Sequence, residues 1–541
     1  MHVIADLQLH SRFSRAVSPQ MTLPNIASWA RRKGIGLVAT GDWMHPMWFA
    51  EIERDLEEMG NGLLMLREGS GDAFFGDARQ SHGNIAKGMP SSLNEALSSD
   101  VKGVSMAGSG QRFSAPQNGH PYPLNPLFLL ATEVSSIYSQ GGKVRRVHTL
   151  VWVPSLASAR KISQEMTKRG CNLMSDGRPI VGLSCIHIAE LVLSIEPKAL
   201  VIPAHAWTPW FSVYGQKGGF ESLDEAFGPY AKHIYAVETG LSSNPAMNWR
   251  IKELDNRSIV SFSDAHSGPK LGREATVFEV PDGKLSYDAI YQAIVGNQSN
   301  YESGIMNHGE EKQNHNSKFI LHNSSIAYTI EFYPEEGKYH WSGHRSCGIR
   351  WGPEETATKG TTCPVCGRPL TQGVVQRVEA LAGRSESDLK LESGIMNYES
   401  GGKKTKILMT RSRSFPDRPP FVMLVPLQEI ISECIGSPVA SPKVQTPYHH
   451  MTDEFQGEFT VLLTSPLSDI ARLAGERVAM GVDKVRRGDL VIDPGYDGVF
   501  GVVKLWKEGE EKPLLDASKE QLSMFFSQKF SHSSLTKKTT T

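Results

Sequence analysis

The first 266 residues repeat one pattern: a short apolar run ends in a histidine, aspartate or glutamate, and an amphipathic stretch follows. Examples are HVIADLQLH from residue 2, PLFLLATE from residue 126 and ALVIPAH from residue 199. Apolar strands alternating with amphipathic helices predict an α/β domain. In an α/β barrel the carboxyl ends of several strands surround one pocket, so we expect the polar groups at these ends to converge.

Size and composition narrow the class of protein. With 541 residues the chain is too long for a single core, and 57 Lys plus Arg against 58 Asp plus Glu give no overall basic charge. A local basic groove for nucleic acid remains compatible with that balance. No apolar stretch reaches the roughly 18 to 20 residues that span a bilayer, and the first residues do not resemble a signal peptide. We therefore expect a cytoplasmic protein with no membrane partner.

The domain organisation is predicted from shifts in composition. The hexapeptide ESGIMN occurs twice, at 302–307 and 392–397, each time in polar sequence that we interpret as an inserted surface segment. The predicted divisions are 1–300, a catalytic domain with an irregular insert at about 69–124; 301–325, a low-complexity insert; 326–372, a zinc-binding module; 373–419, a linker with the second insert; 420–515, a helical domain; and 516–541, a flexible tail.

Two pairs of metal-binding residues lie in the predicted zinc module. They are His344 with Cys347 and Cys363 with Cys366, each pair separated by two residues. Paired ligands at this spacing are typical of tetrahedral zinc held by two knuckles, with His340 as an alternative ligand. A closed four-ligand site predicts a role in folding rather than in catalysis. The few cysteines indicate a metal site in a reducing compartment instead of a disulfide scaffold.

The amino-terminal ligands resemble the motifs of the polymerase and histidinol phosphatase (PHP) superfamily. The motifs are DLQLHS, TGDWMHP and SDAHS, with further ligands in ATEVSSIY, RRVHTLVW and PAHAW. The resemblance implies a distorted (β/α)7-type barrel that holds catalytic Zn, Mg or Mn ions. The implied ligands are Gln8, His10, Asp42, His45, Glu133, His148, His205, Asp264 and His266. Asp42, Asp264 and Glu133 are the implied catalytic carboxylates, whereas Asp6 and Glu238 are the least secure members of the strand-end set.

Longer segments are similar to the endonuclease Q family. They include SRFSRAVSPQMTLPNIASWARRKGI, TEVSSIYSQGGKVRRVHTLVWVPS, IEFYPEEGKYHWSGHRSCGIR and IDPGYDGVFG. The resemblance implies a DNA repair endonuclease that cuts the phosphodiester 5′ to a deaminated base (hypoxanthine or uracil) or an abasic site. Damaged DNA is the implied substrate, and a sliding clamp is a candidate partner. Extrusion of the damaged nucleotide costs least where pairing is already weak.

Cations and aromatic side chains near the metal motifs could hold DNA. Lys and Arg side chains can contact phosphates, and exposed indoles can stack on bases. The candidates are Arg12, Arg15, Lys143, Arg145, Arg146, Trp207, Trp210, Lys270 and Arg273. Simple packing for the aromatics and a solvated surface for the cations are the alternatives.

Two other functions fit part of the sequence. A PHP phosphatase acting on a small phosphorylated metabolite would use the same metal chemistry but leaves the zinc module and the helical domain unexplained. A DNA-binding module with impaired catalysis is suggested by Gln8, which occupies the place of a histidine in the superfamily motif. An amide oxygen is a weaker ligand than imidazole for such metals.

Overall fold

The computed structural model describes residues 1–69, 125–305, 325–400, 403–507 and 509–510. Most of the irregular insert, the first low-complexity insert and the tail predicted from sequence lie outside these ranges. The strands are β1 His2–Asp6, β2 Leu37–Ala39, β3 Leu56–Glu58, β4 Leu64–Leu66, β5 Leu127–Gln140, β6 Lys143–Val153, β7 Ile180–Val181, β8 Leu200–Pro203, β9 Ala236–Glu238, β10 Ser258–Val260, β11 Ala275–Glu279, β12 Ser325–Glu331, β13 Ser342–His344, β14 Ile349–Trp351, β15 Leu391–Ser400, β16 Lys403–Ser412, β17 Phe421–Met423, β18 Val491–Asp493 and β19 Val502–Lys504.

Helices follow the strands of the amino-terminal half and dominate the region after β17. They are α1 Leu23–Lys33, α2 Pro46–Asp55, α3 Leu156–Lys168, α4 Cys185–Ile195, α5 Leu223–Phe227, α6 Pro245–Trp249, α7 Tyr287–Ile305, α8 Pro353–Lys359, α9 Val374–Leu381, α10 Leu427–Ile435, α11 Pro442–Glu454, α12 Glu458–Leu463, α13 Leu467–Ala474 and α14 Glu476–Arg487. None of the helices in the described ranges is both long and apolar enough to cross a membrane.

A mixed sheet forms the centre of the molecule. Strands β1, β2 and β5 pair in parallel, and β11 pairs antiparallel with the other edge of β1. Strand β5 also forms a long antiparallel hairpin with β6, which pairs in turn with β8. The central strands are apolar on both faces, with Val3, Leu37 and Phe128 all fully buried. The carboxyl ends of β1 and β2 therefore lie side by side in the core.

The helical region is anchored to the sheet domain through a buried ion pair. Lys33 Nζ, at the end of α1, lies 2.6 Å from Glu458 Oε2 at the start of α12, and both side chains are almost completely buried. The same carboxylate accepts hydrogen bonds from the backbone N–H of Leu427 and the hydroxyl of Tyr448. These contacts satisfy a charge that would be costly to bury alone.

Residues 373–419 differ from the predicted linker. They contain helix α9 and the hairpin of β15 and β16, and the second ESGIMN copy lies on β15. Ile407 and Met409, two residues apart on β16, are buried, which is the alternation of a half-buried strand. The polar composition around them hid this alternation, so the sequence pattern did not indicate the helix and the hairpin.

The predicted fold class is confirmed as a mixed α/β architecture with a central mixed sheet and a helical region towards the carboxyl end. The strand pairing of the described ranges forms an open path from β15 to β3 with β6, β7 and β8 attached to it. The closed (β/α)7-type barrel, the zinc ribbon and the other domain limits stay predictions.

Candidate metal centre

Most of the predicted ligands follow the carboxyl ends of β1, β2, β8 and β10 and lie in one region of the molecule. The backbone there is unusual, because Asp42, His205 and Asp264 all have positive φ angles, of 43°, 31° and 48°. Residues other than glycine rarely adopt this conformation, and it clusters at functional sites. Each side chain is thereby turned away from the direction that a continuing strand would give it.

Glu133 on β5 lies between two groups of ligands. Its Oε2 atom is 2.9 Å from Nε2 of His10. Its Oε1 atom contacts Nδ1 of His148 and lies 3.3 Å from Nε2 of His205. One fully buried carboxylate therefore faces an imidazole group on each side, which is the position of a ligand shared by two metal ions.

The first group consists of His10, Asp264 and His266. Each can supply one ligand atom, and these atoms lie within 4.8 Å of one another. Nε2 of His10 is 3.1 Å from Oδ1 of Asp264, although neither atom completes a hydrogen bond among the described residues. A buried imidazole nitrogen and a buried carboxylate oxygen without hydrogen-bond partners fit a divalent cation between them.

The second group consists of Glu133, His148 and His205, whose ligand atoms also lie within 4.8 Å of one another. Nδ1 of His148 and Nε2 of His205 are 3.2 Å apart. Two imidazoles and a carboxylate form a donor set that suits zinc and other transition metals, with room for further ligands from solvent or substrate.

Asp42 contacts His10 and lies outside both groups, so its predicted ligand role stays a prediction. Its Oδ2 atom accepts hydrogen bonds from the backbone N–H and hydroxyl of Ser11 and from the hydroxyl of Ser14, and its Oδ1 atom lies 3.0 Å from Nδ1 of His10. A carboxylate on one imidazole nitrogen leaves the other nitrogen available to bind metal.

His45 is also outside the two groups. Its Nδ1 atom accepts a hydrogen bond from the backbone N–H of Trp48 and so caps helix α2, and its ring stacks on Phe13 with centroids 4.6 Å apart. The predicted ligand role of His45 therefore stays a prediction.

Gln8 is buried beside Glu133 and points its amide at it. The Nε2 atom of Gln8 lies 3.3 Å from Oε2 of Glu133, whereas Oε1 has no hydrogen-bond partner in the part of the chain that the structure describes. Gln8 therefore acts as a donor to the shared carboxylate, and its free carbonyl oxygen is the atom that could reach a metal.

Asp6 and Glu238 support the centre from outside. Asp6 accepts hydrogen bonds from the backbone and hydroxyl of Ser263 and from the backbone of Gly272, which fixes the segment that carries Asp264. Glu238 accepts a hydrogen bond of 2.7 Å from the backbone N–H of His205. Both carboxylates thus position ligand-bearing backbone.

Electrostatics keeps the central carboxylates ionised. Burial would raise the pKa of Glu133, but the imidazoles around it and the guanidinium of Arg178 lower it well below its usual value. Burial would also lower the pKa of His10, but the carboxylates of Asp42, Asp264 and Glu133 beside its ring raise it well above its usual value. A cation bound at Nε2 of His10 would compete with that proton.

Arg178 belongs to the centre although sequence analysis did not select it. Its Nη1 atom lies 3.7 Å from Oε2 of Glu133, and its side chain is 22% exposed. It lies in the loop between α3 and β7, away from every strand end used to choose ligands, so no sequence pattern indicated it.

The second predicted metal site also comes together. Ligand atoms of His344, Cys347, Cys363 and Cys366 lie within 4.8 Å of one another. Burial would raise the pKa of the Cys363 thiol, but the backbone N–H groups of Cys366 and Val365 lower it to about 6, which favours the thiolate that binds metal. His340 is outside this group, buried, with Nδ1 unpartnered among the described atoms.

The candidate DNA-binding cations differ in availability. Arg15 is 72% exposed and lies 3.4 Å from Asp176, Lys143 is exposed, and Arg146 is half-buried. Arg145 is 5% exposed and is bound to Glu225 and the carbonyl of Gly219. Arg145 therefore stabilises the hairpin of β5 and β6 and is poorly placed for phosphate contact.

The remaining cations are partly engaged by neighbouring side chains. Arg12 pairs with Glu51, Lys270 pairs with Glu429, and Arg273 lies over the ring of Phe332. The side chains of Arg12 and Lys270 stay 39% and 47% exposed, so both can still contact a polyanion.

The two predicted stacking residues have opposite environments. Trp207 is 1% exposed, donates to Asn248 and stacks on Tyr214, so it belongs to the core and no base can reach it. Trp210 is 40% exposed and packs edge-on against Tyr339. Of the pair, Trp210 is the one with a free surface.

Parts of the chain are similar in sequence to a known domain family and to two curated proteins. Residues 426–489, which contain α10 to α14, match the family described as MJ0043 C-terminal domain. The chain is 29% identical over 302 residues to the uncharacterized protein MJ0043 of Methanocaldococcus jannaschii, and the match covers 55% of this chain but only 31% of that protein. It is 28% identical over 365 residues to the uncharacterized protein YqxK of Bacillus subtilis, covering 66% of this chain and 74% of that protein.

Solved structures extend the similarity to most of the chain. The lesion-specific endonuclease PfuEndoQ of Pyrococcus furiosus superposes with a TM-score of 0.65 at 27% identity, covering 93% of this chain and 95% of that chain. A complex of endonuclease Q with a duplex that carries an abasic lesion superposes with a TM-score of 0.64 at 28% identity, covering 94% and 98%.

The fold and the site together define a mixed α/β protein that could bind metal ions at a histidine–carboxylate centre and at a separate Cys3His group. Within that class, the similarity to endonuclease Q structures covers nearly the whole chain. Solved endonuclease Q structures thus confirm the resemblance that the sequence motifs predicted, because the chain is similar to them over nearly its whole length.

Proposed function

We propose that this protein is a metal-dependent DNA repair endonuclease that hydrolyses the phosphodiester on the 5′ side of a damaged nucleotide. The position of Glu133 between two ligand groups is the observation that carries the proposal. The similarity to endonuclease Q structures, one of them bound to a duplex with an abasic lesion, supports DNA as the substrate.

The proposed metal ligands are His10, Asp264 and His266 on one side of Glu133 and His148 and His205 on the other. Divalent ions held there would acidify an attacking water and stabilise charge on the phosphoryl oxygens and the leaving alkoxide. Zinc, magnesium and manganese all remain candidates, although the imidazole-rich donor set favours zinc or manganese over magnesium.

Asp264 is the carboxylate best placed to orient the attacking water. Its side chain is 25% exposed and His266 beside it is 35% exposed, so the centre opens to solvent at these two residues. Asp42 is fully buried, and its oxygens are engaged by His10, Ser11 and Ser14. Asp42 therefore positions His10 and leaves the water to Asp264.

Cations in the segments that carry the ligands would hold the DNA strand. Arg15 follows His10 in the sequence, and Lys143 and Arg146 precede His148. Phosphate contacts of this kind position the duplex without reading its sequence. Selection of the lesion would come from the low cost of extruding a deaminated or missing base, with Trp210 available to stack on the strand that remains. Hypoxanthine, uracil and abasic sites are the proposed lesions.

The deciding experiment uses one end-labelled duplex that carries a single deoxyinosine, uracil or abasic site, with the undamaged duplex as control. We expect a nick 5′ to the lesion in the presence of a divalent ion and none in EDTA. Asp264→Asn should slow nicking by at least about 100-fold, since loss of a ligand should exceed the 10- to 100-fold typical of an outer-shell partner. The matched control is Asp453→Asn, which alters a carboxylate on the surface that is 67% exposed.

Two results would contradict the proposal. Unchanged nicking by Asp264→Asn would exclude the metal mechanism. Faster turnover of a small phosphomonoester than of any lesion duplex would favour the phosphatase alternative.

A further inference from the structure

The loop between α3 and β7 carries one cation into the metal centre. Arg178 lies near the carboxylates of Glu133, Asp264, Asp176 and Asp42, and these charges outweigh burial and raise the pKa of the guanidinium. Its Nη1 atom lies 3.7 Å from Oε2 of Glu133. Because arginine stays charged at any accessible pH, this side chain is a permanent cation beside the predicted metal ligands.

The backbone on either side of Arg178 is held in place. The N–H of Gly177 donates to the carbonyl oxygen of Phe13, and the N–H of Ser135 on β5 donates to the carbonyl oxygen of Pro179. A Cβ atom at position 177 would lie 2.4 Å from Oδ2 of Asp42 and from Oγ of Ser14, so only glycine fits there. The loop is therefore packed directly against the residue that orients His10.

Asp176 adds a further constraint on the same loop. It is 3% exposed, and its Oδ1 atom accepts hydrogen bonds from the backbone N–H groups of Arg15 and Arg178. One buried carboxylate thus sets the positions of an exposed cation at the rim and a half-buried cation inside the centre.

The N–H groups of the Arg178 guanidinium are available for a further partner. Within the described ranges its side chain forms the 3.7 Å ion pair with Glu133 and no hydrogen bond. Divalent cations bound by the two ligand groups would neutralise the carboxylates that lie near Arg178. The planar set of N–H donors on the guanidinium would then lack an anionic partner. A phosphate offers oxygens in the geometry that such a fork binds best.

We propose that Arg178 binds the non-bridging oxygens of the scissile phosphate and positions that phosphate against the metal centre. The proposal rests on the proposed function and adds a substrate-positioning residue to it. Arg178 neither donates nor accepts a proton in the reaction. Its contribution is a charge-assisted contact that aligns the phosphorus with the attacking water.

The test is a double-mutant cycle on DNA affinity, in which one change is made in the protein and the other in the DNA, so it does not depend on cleavage. Affinity is measured by fluorescence anisotropy in EDTA and in Ca²⁺, for wild type and Arg178→Gln. The duplexes carry an abasic site and either a normal phosphate or a neutral methylphosphonate at the scissile position. Arg178→Gln should weaken binding of the normal duplex in Ca²⁺ by roughly 10- to 100-fold, the range of a hydrogen bond to a charged group. The methylphosphonate should weaken wild type similarly, and the two changes combined should add little, because both remove one contact.

Two further variants separate positioning from a structural role. Arg178→Lys keeps the charge but not the fork, so it should recover part of the affinity and lower the KM for nicking relative to Arg178→Gln. Lys168→Gln removes a cation from the end of α3 that is 74% exposed and should leave affinity and KM unchanged.

The outcomes distinguish this inference from the function on which it rests. If wild type nicks lesion duplexes but the two changes are fully additive, Arg178 does not contact the scissile phosphate and the endonuclease proposal stands. If wild type neither nicks nor prefers lesion duplexes, the proposed function fails first. Loss of kcat in Arg178→Gln with unchanged affinity and KM would also overturn the positioning role.

Discussion

Replacement of Asp42 by asparagine is expected to weaken metal binding at one ligand group and spare the other. The φ angle of 43° at this position tolerates asparagine, so the backbone should not change. The three donors from Ser11 and Ser14 need an acceptor, and the single carbonyl oxygen of asparagine would satisfy them. The amide nitrogen is then left facing Nδ1 of His10, 3.0 Å away in the native protein.

That exchange would reverse the tautomer of His10. With Asp42 the Nδ1 atom can carry the hydrogen, so Nε2, which faces Asp264 and Glu133, can give up its proton when a metal binds. An amide donor at Nδ1 forces the hydrogen to Nε2, the atom that a metal would use. Loss of such an outer partner typically costs 10- to 100-fold in affinity, which corresponds to about 1.4 to 2.7 kcal/mol.

The assay is zinc titration of the metal-stripped protein against a chromophoric chelator. Wild type and Asp42→Asn should differ in one class of site, because His148 and His205 do not contact Asp42. Asp453→Asn on the surface is the control. Equal affinity at every site in Asp42→Asn would refute the tautomer argument, and equal weakening at both groups would show that the variant disturbs the whole centre.

Two other predictions concern stability and ligand strength. Lys33→Met should lower the free energy of unfolding in urea by about 3 to 5 kcal/mol, because it leaves Glu458 buried without its cation. Adding Glu458→Leu should recover part of this loss. A change below about 1 kcal/mol for Lys33→Met would contradict a buried ion pair. Gln8→His should increase the affinity for zinc, because imidazole is a stronger ligand than an amide. If the metal content by mass spectrometry and the zinc affinity both stay at wild-type levels, position 8 does not face a metal.

The ligand groups were predictable because their residues lie in or beside apolar runs of the sequence. Glu133 on β5, His148 on β6 and His10 after β1 were all named from that pattern, and the structure brings them within contact distance. The Cys3His group was predictable for a different reason, since its spacing alone places four ligands together.

Other features depend on contacts between distant segments, which a sequence pattern does not contain. Arg178 reaches the centre from a loop, and only the packing of Gly177 against Asp42 reveals why. Trp207 was a reasonable stacking candidate by residue type, yet its indole donates to Asn248 in the core. The ligand role of Asp42 stays a prediction, and the sequence pattern did not indicate its hydrogen bonds with the hydroxyls of Ser11 and Ser14.

The positive φ angles of Asp42, His205 and Asp264 have a practical consequence for mutagenesis. Alanine in a left-handed conformation costs roughly 1 to 2 kcal/mol of backbone energy, a cost that asparagine or glycine largely avoids. An alanine scan of this centre would therefore mix backbone relaxation with loss of the side chain, and would make each of the three residues look more important for chemistry than it is. Asparagine is the cleaner probe at all three positions, because it changes the ligand and leaves the turn that presents it.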